Sequence, residues 1–126
     1  MKKPTFRIQE ENSAYSIQMY DAKSHFVLES KEFTNYESCQ EFIDRLRVHM
    51  CFQTNFSRCK NDQDLFGFEI RTCWDDLIAS SAWYISREKR ERAMNIAFQC
   101  NKEAIFIHTP LHEKDDNTTK SIMNVA

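Results

Sequence analysis

A chain of 126 residues with 41% apolar and 29% charged side chains is long enough for one domain with a true hydrophobic core, and too short for two ordinary ones. A formal net charge of −2 argues against obligate binding to a phosphate backbone. No apolar run is long enough to span a bilayer, and the basic start "MKKPTFRIQEENS" lacks the apolar stretch of a secretory signal.

Taken in order, "TFRIQ" (Thr5–Gln9) alternates apolar and polar residues and predicts a strand. "AYSIQMY" (Ala14–Tyr20) predicts a second and "HFVLES" (His25–Ser30) a third, with the short polar turns "EENS" and "DAKS" between them. Thr34 or Asn35 then caps a helix, Glu37 standing three residues after Thr34 as in a capping box. Cys39, Phe42, Ile43, Leu46 and Met50 form its apolar stripe. "CFQTNFSR" (Cys51–Arg58) predicts a fourth strand. "LFGFEIR" (Leu65–Arg71) predicts a fifth, with Phe66, Phe68 and Ile70 on one face, and "LIAS" (Leu77–Ser80) a sixth. Ser86 caps a second helix whose inward stripe is Ala93, Met94, Ala97 and Cys100, and "AIFIH" (Ala104–His108) closes the series as a strand. The expected domain is residues 1–110, with 111–126 a polar tail. Helices on one face of a mostly antiparallel sheet make an α+β fold.

One glycine (Gly67) and two prolines (Pro4, Pro110) stand where average usage would give about nine and about six, so turns must rely on Asn, Asp and Ser. Gly67 itself marks a bulge or a place where another segment approaches closely. The five cysteines lack any CxxC pairing and read as reduced, small core residues of a cytoplasmic protein, with no neighbouring base to activate them. The sequons at Asn55 and Asn117 are then chance matches.

A shift of 51 residues pairs Tyr15 with Phe66, Ile17 with Phe68, Met19 with Ile70, Phe26 with Leu77, Ser30 with Ser81, Phe33 with Tyr84 and Ile43 with Met94. Identities are few, Ser30/Ser81 and Glu37/Glu88 among them, yet one gapless offset aligns two strands, a serine, an aromatic and a helix stripe. This predicts tandem β-β-β-α(-β) repeats, about 5–50 and 51–108, in one sheet. The runs "VLESKEFTN" and "IASSAWYIS" follow an aromatic-alternating strand and precede a helix. In this they resemble the YegP-like family (UPF0339, DUF1508), over nearly the whole of Phe6–His108. That resemblance implies a continuous sheet with exchanged terminal strands, in which "AIFIH" completes the sheet beside the other repeat. It implies no activity. The chain departs from the family in its turns, "YDAKSH" and "TCWDDL", and in Phe42 and Ala93, which stand where the family helix carries glycine.

Candidate chemistry is sparse. His108 and His112 have an H-x3-H spacing, but Pro110 between them forbids a shared helix face, and no cysteine pair completes a metal set. "DLFGFEI" echoes the aromatic-Gly-aromatic centre of an RNA-binding strand without its basic lead, and a core strand is the better reading. Asp75–Asp76 is a turn pair without a partner for general-acid work. Trp74, in a predicted turn, and Trp83 are the candidate protein-contact residues. Arg87, Lys89, Arg90 and Arg92 are the candidate contacts for nucleic acid or an acidic partner, with Glu88 and Glu91 diluting their charge. The expectation is a small binding or assembly module with no cofactor, no metal, no membrane and no catalysis. It contacts a protein partner or another copy of itself through the sheet or its edge; nucleic-acid binding is the alternative.

Overall fold

A computed structural model describes residues 3–107. The elements are β1 (Thr5–Glu11), β2 (Ala14–Tyr20), β3 (Phe26–Ser30), α1 (Tyr36–His49), β4 (Phe56–Lys60), β5 (Phe66–Arg71), β6 (Leu77–Ser81), α2 (Arg87–Cys100) and β7 (Ile105–Ile107). One seven-stranded sheet runs β4-β5-β6-β3-β2-β1-β7. Every pairing is antiparallel except β7, which lies parallel to β1 with Phe106 opposite Phe6. The α+β class expected from the sequence is what the structure shows. The histidine spacing at His108–His112, the sequon at Asn117 and the tail lie outside the described residues.

One stretch is corrected. "CFQTN" is no strand: Gln53–Asn55 is a single 3₁₀ turn, and β4 begins only at Phe56. A cap explains it, because Asn55 Nδ2 donates to His49 O at 2.9 Å and keeps the chain curled beneath the end of α1. α1 is capped by Asn35 through Ser38 N, and α2 by Ser86 through Lys89 N. The α1 stripe is buried as its spacing demands. Of the α2 stripe, Ala93 and Ala97 are buried and Met94 and Cys100 lie half-buried, while Arg90 takes a buried place the stripe did not include. Phe42 fits because its ring packs 5.1 Å from that of Phe33, under Lys31.

Strand alternation sends Phe6, Ile8, Ile17, Met19, Leu28, Phe56, Phe68 and Ile70 to the face that both helices cover, and these residues form one core. Backbone details recur at the 51-residue offset. Tyr15 and Phe33 exchange hydrogen bonds of 2.8 and 2.7 Å, and Phe66 and Tyr84 do the same at 2.8 and 2.7 Å. Ile17 N–H donates to Ser30 Oγ at 2.8 Å, and Phe68 N–H to Ser81 Oγ at 2.9 Å. Each hydroxyl passes its own proton to the next carbonyl, of Lys31 and of Ala82. Irregular pairing falls at Met19/Tyr20 and again at Ile70/Arg71. Where the halves meet, β3 and β6 are antiparallel with Glu29 opposite Ser80, positions that are themselves 51 apart.

The turns carry the glycine shortage as expected. Asn12, Ser13, Ser24, Asp64 and Asp75 all have positive φ, and no glycine does. Asp21 Oδ1 accepts from Lys23 N and His25 N, and Thr72 Oγ1 does the same for Trp74 N and Asp76 N. Ser24 and Asp75 share a φ of 68°. Ser24→Gly should relieve that left-handed cost and raise stability by about 0.5–1 kcal/mol, net of the freer unfolded chain. A denaturant midpoint shift would read it.

Candidate functional site

Among the described residues, no helix or strand covers the face of the sheet away from the helices. Alternation turns Gln18, Glu29, Ser80 and Glu69 outward in one row across β2, β3, β6 and β5. Ser16 Oγ donates to Glu29 Oε2 at 2.5 Å, and Gln18 Nε2 approaches the same oxygen at 3.4 Å. Arg71 Nε binds Glu69 Oε1 at 2.8 Å. Glu29 and Ser80 of this row line a shallow depression of about 540 Å³ centred on β3 and β6 and rimmed by Phe26, Leu77 and Trp83. All three rim residues are exposed large apolar groups.

Trp83 owes its position to Gly67. A Cβ at Gly67 would stand 3.0 Å from Trp83 Cε3, 3.1 Å from Cζ3 and 3.2 Å from Ser81 Oγ. The single glycine is therefore the place of close approach its isolation suggested, and the indole lies across it with one side still open. Trp74 is different: at 84% exposure it projects from the β5–β6 turn, against 48% for Trp83. All of β6 lies between them, roughly 15 Å at strand rise. The structure does not bring the two tryptophans together.

The basic run also divides. Arg90 is buried, with its guanidinium 5.5 Å from the Phe66 ring centroid, and Arg87 stacks on the same ring at 5.4 Å. Arg58 grips Glu91 with two hydrogen bonds of 2.7 Å, and those bonds chiefly hold the Glu91 carboxyl down at about 2. Lys89 and Arg92 alone line a separate groove, opposite Asp21 and His25. The four cations thus do not form one patch.

The cysteines are corrected in part. Cys39 is buried and its thiol is pushed up to about 11 by burial, but Cys51 and Cys73 are exposed. Burial likewise raises Cys59 and Cys100. Among the described residues, no group of His, Cys, Asp and Glu could hold a metal, and no helix is long and apolar enough to cross a membrane. Sequence reasoning missed Phe26, Leu77 and Glu29 as surface features. The 51-residue pairing of Phe26 with Leu77 was a signal for those two.

No family model and no curated protein matches the sequence. Solved structures do. The solution structure of YegP from E. coli, a protein of unknown function, superposes with a TM-score of 0.74 at 14% identity, over 84% of this chain and 92% of that one. A UPF0339 protein from Shewanella oneidensis superposes with a TM-score of 0.75 at 12% identity, over 89% of this chain and 98% of that one. Superposition on this scale establishes that the chain has the fold of the YegP and UPF0339 proteins, at a sequence distance where the fold alone is common to them.

Proposed function

We propose that the protein is a cytoplasmic binding module that docks a protein partner on the outer sheet face, and that it performs no catalysis. The observation that carries this is the rim of Phe26, Leu77 and Trp83 around a depression lined by Glu29 and Ser80, since half-exposed large apolar side chains about a shallow depression are how protein contacts are anchored. The raised thiols of Cys39, Cys59 and Cys100 support binding over nucleophilic chemistry. The same reading takes residues 5–50 and 51–108 as two copies of one unit, supported by the hydrogen bonds that recur at the 51-residue offset. It makes the depression a feature of the junction between copies.

The test compares affinity capture from the native cell by the wild type, Trp83→Ala and Leu77→Ser, each checked for an unchanged circular dichroism spectrum. Loss of one stoichiometric partner from both variants is the expected result. Equal recovery by all three would end the proposal, as would an A260 excess with salt-sensitive heparin retention, which belongs to nucleic-acid binding.

A further inference from the structure

The two edges of the sheet are unlike. β1 is closed by β7, whose Ile105, Phe106 and Ile107 stand opposite Thr5, Phe6 and Arg7, with Phe106 packed against the core. At the far edge, Phe56 opposes Ile70 just as Phe6 opposes Met19, so Phe56 holds the place in β4 that Phe6 holds in β1. No strand among the described residues lies outside β4.

The backbone there is poised for one. Phe66 spends both its N–H and C=O on Tyr84, on the side away from β4, so Lys60↔Phe66 is a pair that exchanges no hydrogen bonds. By the alternation of an antiparallel ladder, Arg58 and Lys60 then turn their N–H and C=O groups to the open edge. Beneath that edge, toward α2, lies a groove of about 280 Å³ with Phe56, Met94 and Phe98 as apolar lining and Arg58 with Glu91 at its rim. It lies where, at the other edge, Phe106 packs beside Phe6. A second copy presenting its own β4 fits poorly, because antiparallel self-pairing about Arg58 sets Arg58 against Arg58 and Lys60 against Phe56.

We infer that β4 is a strand-addition site for an extended segment of another protein. That segment pairs parallel to β4 and carries an aromatic residue between two β-branched aliphatic ones, as β7 does on β1. The partner's backbone supplies hydrogen bonds to Arg58 and Lys60, and its aromatic side chain fills the groove at Phe56. This inference is independent of the outer-face proposal, since the groove opens on the helix side.

The probe is a labelled synthetic peptide, KEAIFIH, with the sequence of residues 102–108, titrated into the intact ¹⁵N-labelled chain. Saturable binding is expected, with slowed amide exchange at Arg58 and Lys60. At least a tenfold loss of affinity should follow when the peptide phenylalanine becomes serine. Lys60→Pro removes an outward N–H at an edge, where proline is tolerated, and Met94→Lys alters the groove without touching the strand. Each should weaken binding at least tenfold, whereas Trp83→Ala should leave it unchanged. Shifts confined to Thr5–Arg7, marking displacement of β7, would overturn the inference. So would no saturable binding, or a wild-type dimer in sedimentation that Lys60→Pro abolishes.

Discussion

Leu46→Ala is expected to lower the stability of the fold by about 2–5 kcal/mol, read as a lower denaturant midpoint at unchanged slope. Leu46 is fully buried on the inner face of α1 near its C-terminal end, and its removal leaves a void the sheet cannot collapse to fill. The residue 51 positions on is Ala97, equally buried in α2. Around it Phe42, Ile43 and Met50 become Ala93, Met94 and Asn101. The second helix therefore presents the small Ala93 and Ala97 to its half of the sheet, while bulk comes from Phe56 and Phe68 on the strands and Phe98 at the flank of α2, the Phe56 ring standing about 6 Å from each of the other two. Ala97→Leu should not act as a mirror repair. It should overpack and cost about 1–3 kcal/mol. A stabilised Ala97→Leu would show that the second half is merely underfilled.

The second large effect falls on the paired serines. Ser30→Ala should cost about 1–3 kcal/mol, because the hydroxyl stands in for a strand carbonyl and its loss leaves the buried Ile17 N–H without a partner. Ser81→Ala should do the same at Phe68 N, somewhat less, since Ser81 is only half-buried. The hydroxyls share no partner, so the double variant should sum the two losses within about 0.5 kcal/mol. Threonine keeps the acceptor and should recover most of either loss. Failure of threonine at both positions, with alanine tolerated, would remove the hydroxyl from the account.

Most of this architecture was legible because period and turn chemistry coincide. "AYSIQMY" alternates cleanly and is a strand to the residue, and Ser86 sits three positions before the amide it caps. The 3₁₀ turn at Gln53–Asn55 was not legible, since the apolar residues of "CFQTNF" match a strand and only the reach of Asn55 to His49 decides otherwise. Arg90 misled for a related reason. A charge at an inward helix position reads as surface until Phe66 is seen beneath it. Trp83 was legible as a residue of interest but not as the cover of Gly67, because a sheet contact between those positions is invisible to local pattern. Groove and depression both depend on which strand neighbours which, and spacing along the chain does not carry that.

β7 has a bearing on how the chain reaches this state. Its pairing of Ile105 with Thr5 joins positions 100 residues apart, so the edge of β1 stays bare during synthesis until residues 105–107 emerge. At about 5–20 residues per second, that interval is roughly 5–20 s, long against the microseconds in which the β1–β2 hairpin can form. A nascent chain thus spends most of its translation with a formed hairpin and an unguarded margin. Early termination before Ile105 should yield a product that aggregates, however complete its other six strands.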